Sequence, residues 1–473
     1  MKLHNFLISS VCALAVSFSA TVASAKSPCQ GSLDYLDDQY AKHKPLQNAF
    51  QAAYDGLKPL PYGYKYGGSV ENPWKTQASN GKELKDAVKA FYDQVCVLLP
   101  QISGTNDNAL DSIQYFAWLY NHNDKGVALV KGDPNTPAVN GVKNFLIKFN
   151  EEYKAHMDSA SSTGKVAEWV ADPRLEIKDY VLQQASEYKS WNQFFARNLI
   201  MDPTTGTYPS RPVTMADRKY VIVSPTDCIM NPLVQPVQVK SGEVVRSLIE
   251  NPLQRDTVLD VKGIPMSVDS LLANAPSALK EKFQGATGLA CVLMPNTYHH
   301  FHSPVDGTIL YHEIVEAGDP YAHGTFGYSD WPNWVPMDGN VGRPGTDFSQ
   351  FQGFTRGVIV LEVEYANLPK GQRPPGAPDT LKGYVASIPV GLDTVGSVVF
   401  NTKNIKNGAA VKKGITEFGN FYFGGSLNIM LFSPIEGSNG STMVSPAVQT
   451  RMGNQIGILN TPYSAPKTPW TPD

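Results

Sequence analysis

Two short stretches in the second half of the chain carry the acid and imidazole groups that can activate a nucleophile. The stretch YHHFHSPVDG, residues 298–307, contains three histidines, and VIVSPTDC contains Asp227. A third stretch, FYFGGSLNIMLF, places Ser426 after two glycines. A carboxylate can orient an imidazole, which can then take the proton of a serine hydroxyl. Since a long chain contains such residues by chance, their order and surroundings must decide whether they form one site.

The three histidines also allow a second interpretation. In a strand, His300 and His302 would lie on one face and His299 on the other. Imidazoles at alternating positions can chelate a metal ion, so a metal-dependent hydrolase is one alternative. A non-catalytic secreted binding protein is another. The cysteines form no CxxC pair, which argues against a thiolate metal site.

The elements that must position these residues change character along the chain. Residues 30–185 are predicted to be helical: in the stretch before Pro100, apolar residues recur at spacings of four and three, which is typical of a helix with one face in the core. Ser190 is the expected N-cap of a further helix through WNQFFARNL. Seven β-rich runs follow residue 211: YVIVSP, ACVLMP, GTILYHEIVEA, GVIVLEVEYA, GYVASIPVG, GSVVF and SLNIMLF. We therefore predict an α+β fold with a mainly helical region before a mainly β one.

The composition and the N-terminal residues indicate which partners and which cellular location to expect for the protein. The net charge of −3 and the absence of a basic run argue against nucleic-acid binding. Residues 1–25 combine a lysine, an apolar stretch and Ala23-Ser24-Ala25, which indicates a secretory signal peptide. An uncleaved membrane anchor is the alternative. We expect an exported protein that is soluble or peripherally attached to a membrane.

Export would leave four cysteines in an oxidising compartment. The pairs Cys29–Cys96 and Cys228–Cys291 respect the predicted division of the chain into 26–185 and 186–473. Buried free thiols are an equal alternative for Cys228 and Cys291. The long loop 318–353 carries Trp331 and Trp334, and loops of this length are usually functional or mobile.

Together the motifs resemble the phosphatidylserine decarboxylase family of pyruvoyl enzymes. The matching stretches occur in the family's order from about residue 186 to 434: WNQFFARNL, Arg211-Pro212, VIVSPTDC, MPNTYHHFHSPVDG, YVASIPVGLDTVGSVVF and VKKGITEFGNFYFGGSLNIMLF. The helical first third is vaguely similar to the accessory domain of some fungal members, including the branch that decarboxylates free tryptophan. The resemblance thus implies a helical accessory domain, 26–185, followed by a catalytic domain, 186–473.

The resemblance implies that the chain cuts itself between Gly425 and Ser426, giving a large β chain and a small α chain. The serine hydroxyl would attack the preceding carbonyl, and glycines at 424 and 425 lack the Cβ that would resist the required bend. Elimination and hydrolysis would leave a pyruvoyl group made from Ser426. That group would be the cofactor: it accepts the substrate amine as a Schiff base and takes up the electrons released with CO2. No metal is required.

The family's roles fall on particular residues. His302 would be the base for self-cleavage, with Asp227 orienting it in preference to Asp306. His299 would lie near the substrate and is the candidate acid for protonating the carbanion. His300 occupies a variable position and is expected to be structural.

The resemblance leaves the substrate open. Phosphatidylserine, giving phosphatidylethanolamine in phospholipid biosynthesis at a membrane surface, is the family default and the favoured prediction. A free aromatic amino acid, with Phe326, Trp331 and Trp334 lining its pocket, is the alternative. Phe354-Thr355-Arg356 keeps only the arginine of a family Asn-x-Arg pattern, which leaves the anionic contact undefined. Assembly as a homodimer is also left open.

Overall fold

The computed structural model describes residues 26–461 with several gaps. Outside the described residues lie 1–25, 59, 62–68, 71, 98–118, 120–122, 133–134, 239–243, 249–251, 262–263, 294–295, 316–355, 374, 392–397, 423–425, 437, 439–440, 445–448 and 462–473. The predicted signal peptide, the loop 318–353 and Gly425 therefore fall outside this description.

The first part of the described chain is helical, as predicted. Its α-helices are Gln30–Lys42, Lys44–Asp55, Pro73–Gln77, Gly81–Val97, Asp124–Lys131, Gly141–Met157, Val166–Ala171 and Trp191–Phe195. Two short helices, Val268–Leu271 and Ser277–Lys280, lie within the β region. The α+β prediction is confirmed.

The helix Gly81–Val97 shows why this region folds. Its buried residues include Leu84, Val88, Tyr92 and Cys96, which are spaced four apart and so lie on one face. Leu84 and Val88 of the predicted stripe are thus in the core, and its Phe91 and Val95 are partly buried against the same core, while Leu98 lies outside the described residues. Within the described residues, no helix is long and apolar enough to cross a membrane.

The cysteines divide into two pairs. A disulfide joins Cys29 to Cys96, as predicted, and ties the helices Gln30–Lys42 and Gly81–Val97 together. Cys228 and Cys291 are free and buried. The alternative of buried thiols therefore describes the second pair.

An eight-stranded sheet, the large sheet, organises the second part of the chain. Neighbouring strands are antiparallel throughout it. In spatial order its strands are Ala410–Val411, Gly307–Val315, Arg356–Ala366, Thr380–Gly391, Ser426–Phe432, Thr287–Leu293, Cys228–Pro232 and Gln449–Thr450. Each of the seven β-rich runs predicted from the sequence forms a strand, in this sheet or in those described next.

Two three-stranded sheets accompany the large sheet. The histidine sheet consists of His300–His302, Glu417–Phe421 and Val398–Phe400, and the other consists of Ser441–Val444, Gln455–Thr461 and Val221–Val223. The remaining strands form hairpin-like pairs: Leu60–Pro61 with Ser69–Val70, Val234–Gln238 with Val244–Leu248, and Val258–Val261 with Ile264–Ser267.

The large sheet is covered on both faces. In the strand Ser426–Phe432, Ile429 and Leu431 join the same apolar cluster as the N-terminal helices, while Met430 and Phe432 join a second cluster. Alternate strand residues point to opposite faces, so both faces of this strand are buried. This explains why the sequence here is apolar at successive positions from Ile429 to Phe432 rather than alternating.

One helix is shorter than predicted. Ser190 is its N-cap, and the serine side chain accepts a hydrogen bond from the backbone N–H of Gln193, as expected. The helix ends at Phe195 instead of continuing to Leu199, since Ala196 has a non-helical backbone (φ −92°, ψ 45°). At this point Ala196 contacts residues 298–302, the histidine segment, through its carbonyl oxygen.

Candidate active site

The large sheet brings the predicted site residues to one of its ends. Ser426, the first residue of its strand, is paired with Leu293, the last residue of the neighbouring strand. On the other side of that neighbour, Ile229 pairs with Val292, so Asp227 just precedes a strand that begins at the same end. Neighbouring strands are about 4.8 Å apart. Asp227 and Ser426 thus flank a single intervening strand.

The histidine segment is fixed at the same end of the sheet. Two backbone N–H groups bind it to its neighbours: that of Phe421 donates to the carbonyl of His299 at 2.8 Å, and that of His302 donates to the carbonyl of Pro225 at 2.8 Å. The Thr226 hydroxyl donates to the carbonyl of Tyr298 at 3.0 Å. The segments before Asp227 and before Ser426 therefore both hold the histidines in place.

Asp227 is held by an arginine rather than by a histidine. Arg211 donates from Nε to Oδ1 at 2.9 Å and from Nη2 to Oδ2 at 2.7 Å, and the N–H of Met452 donates to Oδ1 at 2.9 Å. Arg211 also binds Asp179 at 2.8 Å. Burial by itself would lower the pKa of Arg211, but its hydrogen bonds to Asp227 raise it overall. Among the described residues, Asp227 and His302 do not hydrogen-bond each other.

His302 is buried in a polar pocket lined by tyrosines. Its Nε2 lies 3.0 Å from the hydroxyl of Tyr298, and its ring meets the ring of Tyr208 edge-on at 5.3 Å. Burial lowers the pKa of His302 to about 4, although the nearby carboxylate of Glu417 opposes that shift. The imidazole is therefore neutral at pH 7 and suited to accept a proton.

His299 has a different set of neighbours. Its Nδ1 lies 2.9 Å from the carbonyl oxygen of Thr297, and its ring lies 3.8 Å from the ring of Phe195. Nε2 is buried and has no hydrogen-bond partner among the described residues. Burial lowers the pKa of His299 well below its usual value, and the positive charge of Arg197 lowers it further. His299 is therefore also neutral, with Nε2 as a bare acceptor, and must take up a proton before it can act as an acid.

His300 makes structural contacts, in line with its expected role. Its Nε2 lies 2.9 Å from the carbonyl oxygen of Ala196 and its Nδ1 lies 3.2 Å from Oε1 of Glu417. The ring stacks on Tyr298 with an interplanar angle of 5°. Burial would raise the pKa of Glu417, but contact with His300 lowers it overall.

The remaining predicted residues are placed as follows. Asp306 accepts a hydrogen bond from the backbone N–H of Lys413 at 3.0 Å. Ser426 is described through its backbone only, and Gly425 lies outside the described residues. Within the described part of the chain, no group of three or more His, Cys, Asp or Glu residues could hold a metal ion, and the three imidazoles face different partners.

Several side chains of this site, Tyr298 and Glu417 among them, were not predicted from the sequence. Tyr298 caps His302, and Glu417 acts electrostatically on both His300 and His302. Both residues lie within the motifs that carry the family resemblance. Glu417 pairs with His302 in the histidine sheet, and only that pairing shows that the two are neighbours.

Comparison with known proteins agrees with the motifs. A family model described as phosphatidylserine decarboxylase matches residues 191–458, which is more than half of the chain. The phosphatidylserine decarboxylase proenzyme of Clostridium novyi is 30% identical over 173 residues, covering 37% of this chain and 48% of that protein. Proenzyme 2 of Komagataella phaffii is 24% identical over 292 residues, covering 62% and 23% respectively.

A fungal relative with a different name also matches. The decarboxylase iboD of Amanita muscaria is 28% identical over 251 residues, covering 52% of this chain and 59% of that protein. The matched part of each of these three relatives is less than two thirds of its length. The chain is thus similar to a class of decarboxylases.

This chain belongs to the phosphatidylserine decarboxylase family. The family predicted from the motifs is confirmed, and the fungal match supports the similarity to a fungal branch.

Proposed function

We propose that this protein is a pyruvoyl-dependent decarboxylase that forms its own cofactor by cutting the bond between Gly425 and Ser426. The observation that carries the proposal is the convergence of Asp227, the histidine segment and the first residue of the strand Ser426–Phe432 at one end of the large sheet. The family match and the names of the relatives support it.

The cleavage step assigns a role to His302. The Ser426 hydroxyl oxygen attacks the carbonyl carbon of Gly425, and the hydroxyl proton passes to the neutral imidazole of His302. The peptide C–N bond then breaks as the nitrogen is protonated, which leaves an ester. Elimination releases the Gly425 carboxylate and leaves dehydroalanine at position 426. Addition of water and loss of ammonia convert that residue to the pyruvoyl group.

The residues of the site fit such a group. When present, the pyruvoyl carbonyl supplies an electron sink for the pair of electrons left by departing CO2. His299 presents a buried, unpartnered Nε2 in the segment that binds Phe421, five residues before Ser426. Because burial and Arg197 keep this imidazole neutral, we assign it to proton transfer at the reacting carbon. It would take a proton before donating it.

Phosphatidylserine is the proposed substrate, and phosphatidylethanolamine the product. The relatives named as phosphatidylserine decarboxylase proenzymes support this choice. We further propose that residues 1–25 direct export and that the protein meets lipid at a membrane surface as a peripheral protein. A free aromatic amino acid remains the competing substrate, because one matched relative is named only as a decarboxylase.

Intact-mass spectrometry of the purified full-length protein tests the cleavage. We expect two chains, the smaller comprising residues 426–473 with a pyruvoyl terminus, and one uncut chain in Ser426→Ala. The matched control is Ser69→Ala, which alters the other Gly-Gly-Ser sequence, at 67–69, and should still cut. An uncut, unmodified wild-type chain would refute the proposal.

The substrate is tested separately by CO2 release. Vesicles containing phosphatidylserine are compared with a panel of free amino acids, with the uncut Ser426→Ala chain as the blank. Release from vesicles alone supports phosphatidylserine. Release from tryptophan or another aromatic amino acid alone would transfer the assignment to the competing substrate while leaving the cleavage result intact.

A further inference from the structure

The end of the helix Trp191–Phe195 is built against the histidine segment. The ring of Phe195 lies on His299 at 3.8 Å, with 30° between the ring planes. The carbonyl oxygen of the next residue, Ala196, lies 2.9 Å from Nε2 of His300. The last residue of the helix and the residue after it therefore contact two successive histidines.

Arg197 completes this contact with its guanidinium group. Its Nη2 donates to the carbonyls of Asn296 at 2.8 Å and Thr297 at 3.1 Å, and to the hydroxyl of Tyr180 at 3.3 Å. The guanidinium carbon lies 4.3 Å from the centre of the Tyr180 ring. The side chain is only 2% exposed, and among the described residues no carboxylate lies within ion-pair distance of it. Its charge therefore acts on its neighbours without a compensating anion.

The carbonyl of Thr297 connects this arginine to His299. It accepts from Arg197 and also lies 2.9 Å from Nδ1 of His299. A carbonyl oxygen has two lone pairs and can only accept, so Nδ1 must carry the proton in this contact. Nε2 of the neutral ring is then a lone pair, and it is the buried nitrogen without a partner.

The charges around His299 act in the same direction. Besides burial, Arg197 and His300 both lower the pKa of His299, whereas the Thr297 carbonyl raises it. Burial alone keeps the ring neutral without choosing between its two nitrogens. The shared carbonyl makes that choice.

We propose that Arg197 is a positioning residue for His299: it fixes the Thr297 carbonyl that sets the Nδ1–H tautomer and thereby presents the Nε2 lone pair to the reaction. The catalytic meaning of this assignment rests on the proposed decarboxylase function. The tautomer and the titration of His299 do not depend on it, so they can be measured whether or not the protein decarboxylates anything.

Nitrogen-15 NMR of full-length protein labelled at histidine gives the direct readout. The His299 signal is assigned with His299→Gln, and its tautomer and titration midpoint are followed with pH. In Arg197→Met we expect the midpoint to rise by about one pH unit or more, since a nearby positive charge is lost. The Nε2–H tautomer should also become populated.

Tyr180→Phe is the matched control. It removes one hydrogen bond to the same guanidinium but leaves the charge and both backbone carbonyl contacts. We expect the His299 tautomer to stay as in the wild type and its midpoint to move by less than about 0.3 pH unit. A change equal to that of Arg197→Met would mean that general packing, and not Arg197, controls His299, and would overturn the proposal.

Arg197→Lys keeps the test decisive if Arg197→Met does not fold. Both carbonyls accept from the same guanidinium nitrogen, Nη2. The lysine ammonium retains the charge but lies on a flexible stem, without the planar guanidinium that holds this nitrogen in place, so the midpoint should stay low while the tautomer becomes mixed. A wild-type tautomer in Arg197→Lys, or unchanged titration in a folded Arg197→Met, overturns the proposal.

The activity measurement separates this inference from the proposed function. We expect Arg197→Met to cut itself as the wild type does and to lose about 10-fold or more in kcat for decarboxylation, with KM little changed. If the wild type neither cuts nor releases CO2 while the NMR changes occur as described, the proposed function fails and the positioning role stands.

Discussion

His299 and His302 lie three residues apart, and both are buried and neutral, yet they are held in opposite ways. His302 has its Nε2 against the Tyr298 hydroxyl, a buried Nδ1 without a hydrogen-bond partner among the described residues, and a carboxylate, Glu417, in its surroundings. His299 has its Nδ1 tied to a backbone carbonyl, a guanidinium nearby and a bare Nε2.

The difference is consistent with the two proton transfers that we propose for this segment. A carboxylate near an imidazole stabilises the protonated form, as suits a base that must hold a proton, whereas a guanidinium disfavours that form. His302 is thus suited to taking the serine proton once. His299 is suited to brief protonation followed by rapid release to a carbanion. The following predictions test this division.

The largest effects are expected from removing each imidazole. His302→Ala should slow self-cleavage by at least about 100-fold, the scale of general-base catalysis, and leave one chain on a denaturing gel. His299→Ala should cut normally but lose at least about 100-fold in decarboxylation rate, measured as CO2 release. Equal effects of the two substitutions on cleavage would contradict the division of roles.

The next prediction concerns Asp227 and the arginine that binds it. Arg211→Met leaves both the buried Asp227 and Asp179 without their shared cationic partner, so we expect the free energy of unfolding to fall by about 3–5 kcal/mol, as measured by urea denaturation. Arg255→Met is the control. It breaks the Arg255–Asp269 pair, in which both side chains are about a third exposed (33% and 34%), and should cost no more than about 1 kcal/mol. Similar losses in the two variants would show that Asp227 is not held as tightly as its contacts indicate.

The low pKa of His302 predicts a pH dependence of stability. Its pKa is about 4 in the folded chain and about 6.5 when unfolded, so the unfolded chain takes up the proton first as the pH falls. The contribution of this group to the free energy of unfolding is fully present above about pH 6.5. About 3 kcal/mol of it is lost as the pH falls from about 6.5 to 4. Melting temperature measured against pH should fall across this window. His302→Gln should show a shallower fall, and an identical slope would contradict the shift.

The smallest expected effect is that of the tyrosine that caps His302. Tyr298→Phe removes one hydrogen bond and should cost about 1 kcal/mol of stability by denaturant titration, with self-cleavage slowed by less than about 10-fold. Tyr208→Phe is the matched control, since its ring contacts His302 but no hydrogen bond joins its hydroxyl to that imidazole. If Tyr298→Phe affected decarboxylation more than cleavage, the tyrosine would belong with His299 instead.

Much of the fold could be predicted from local sequence patterns. The β-rich runs, the amphipathic helix ending at Val97 and the N-cap at Ser190 depend on neighbours in the chain, and each formed as expected. The end of the helix at Phe195 was not predicted: the next two residues, Ala196 and Arg197, contact His300 and Asn296. Those contacts join residues about a hundred positions apart.

The residue types of the candidate site could be predicted from the sequence, but the contacts between those residues could not. Asp227, His299 and His302 follow from ordered motifs. The binding of Asp227 by Arg211, and the proximity of Glu417 to the histidines, arise from sheet register and long-range packing. No periodicity in the sequence reports such pairings, so an acid, a base and a serine were identifiable while their partners were not.

The central place of the strand Ser426–Phe432 has a consequence for how such an enzyme is made. Its neighbours Thr380–Gly391 and Thr287–Leu293 bind it along both edges, and the strand Gln455–Thr461 later in the chain joins another sheet. If the bond before Ser426 is cut, the small fragment stays hydrogen-bonded between two strands of the larger one. In that case the sheet would have to assemble before the cut, and the uncut precursor would be the form of the chain that folds. Separately produced halves would have to rebuild an internal strand from solution.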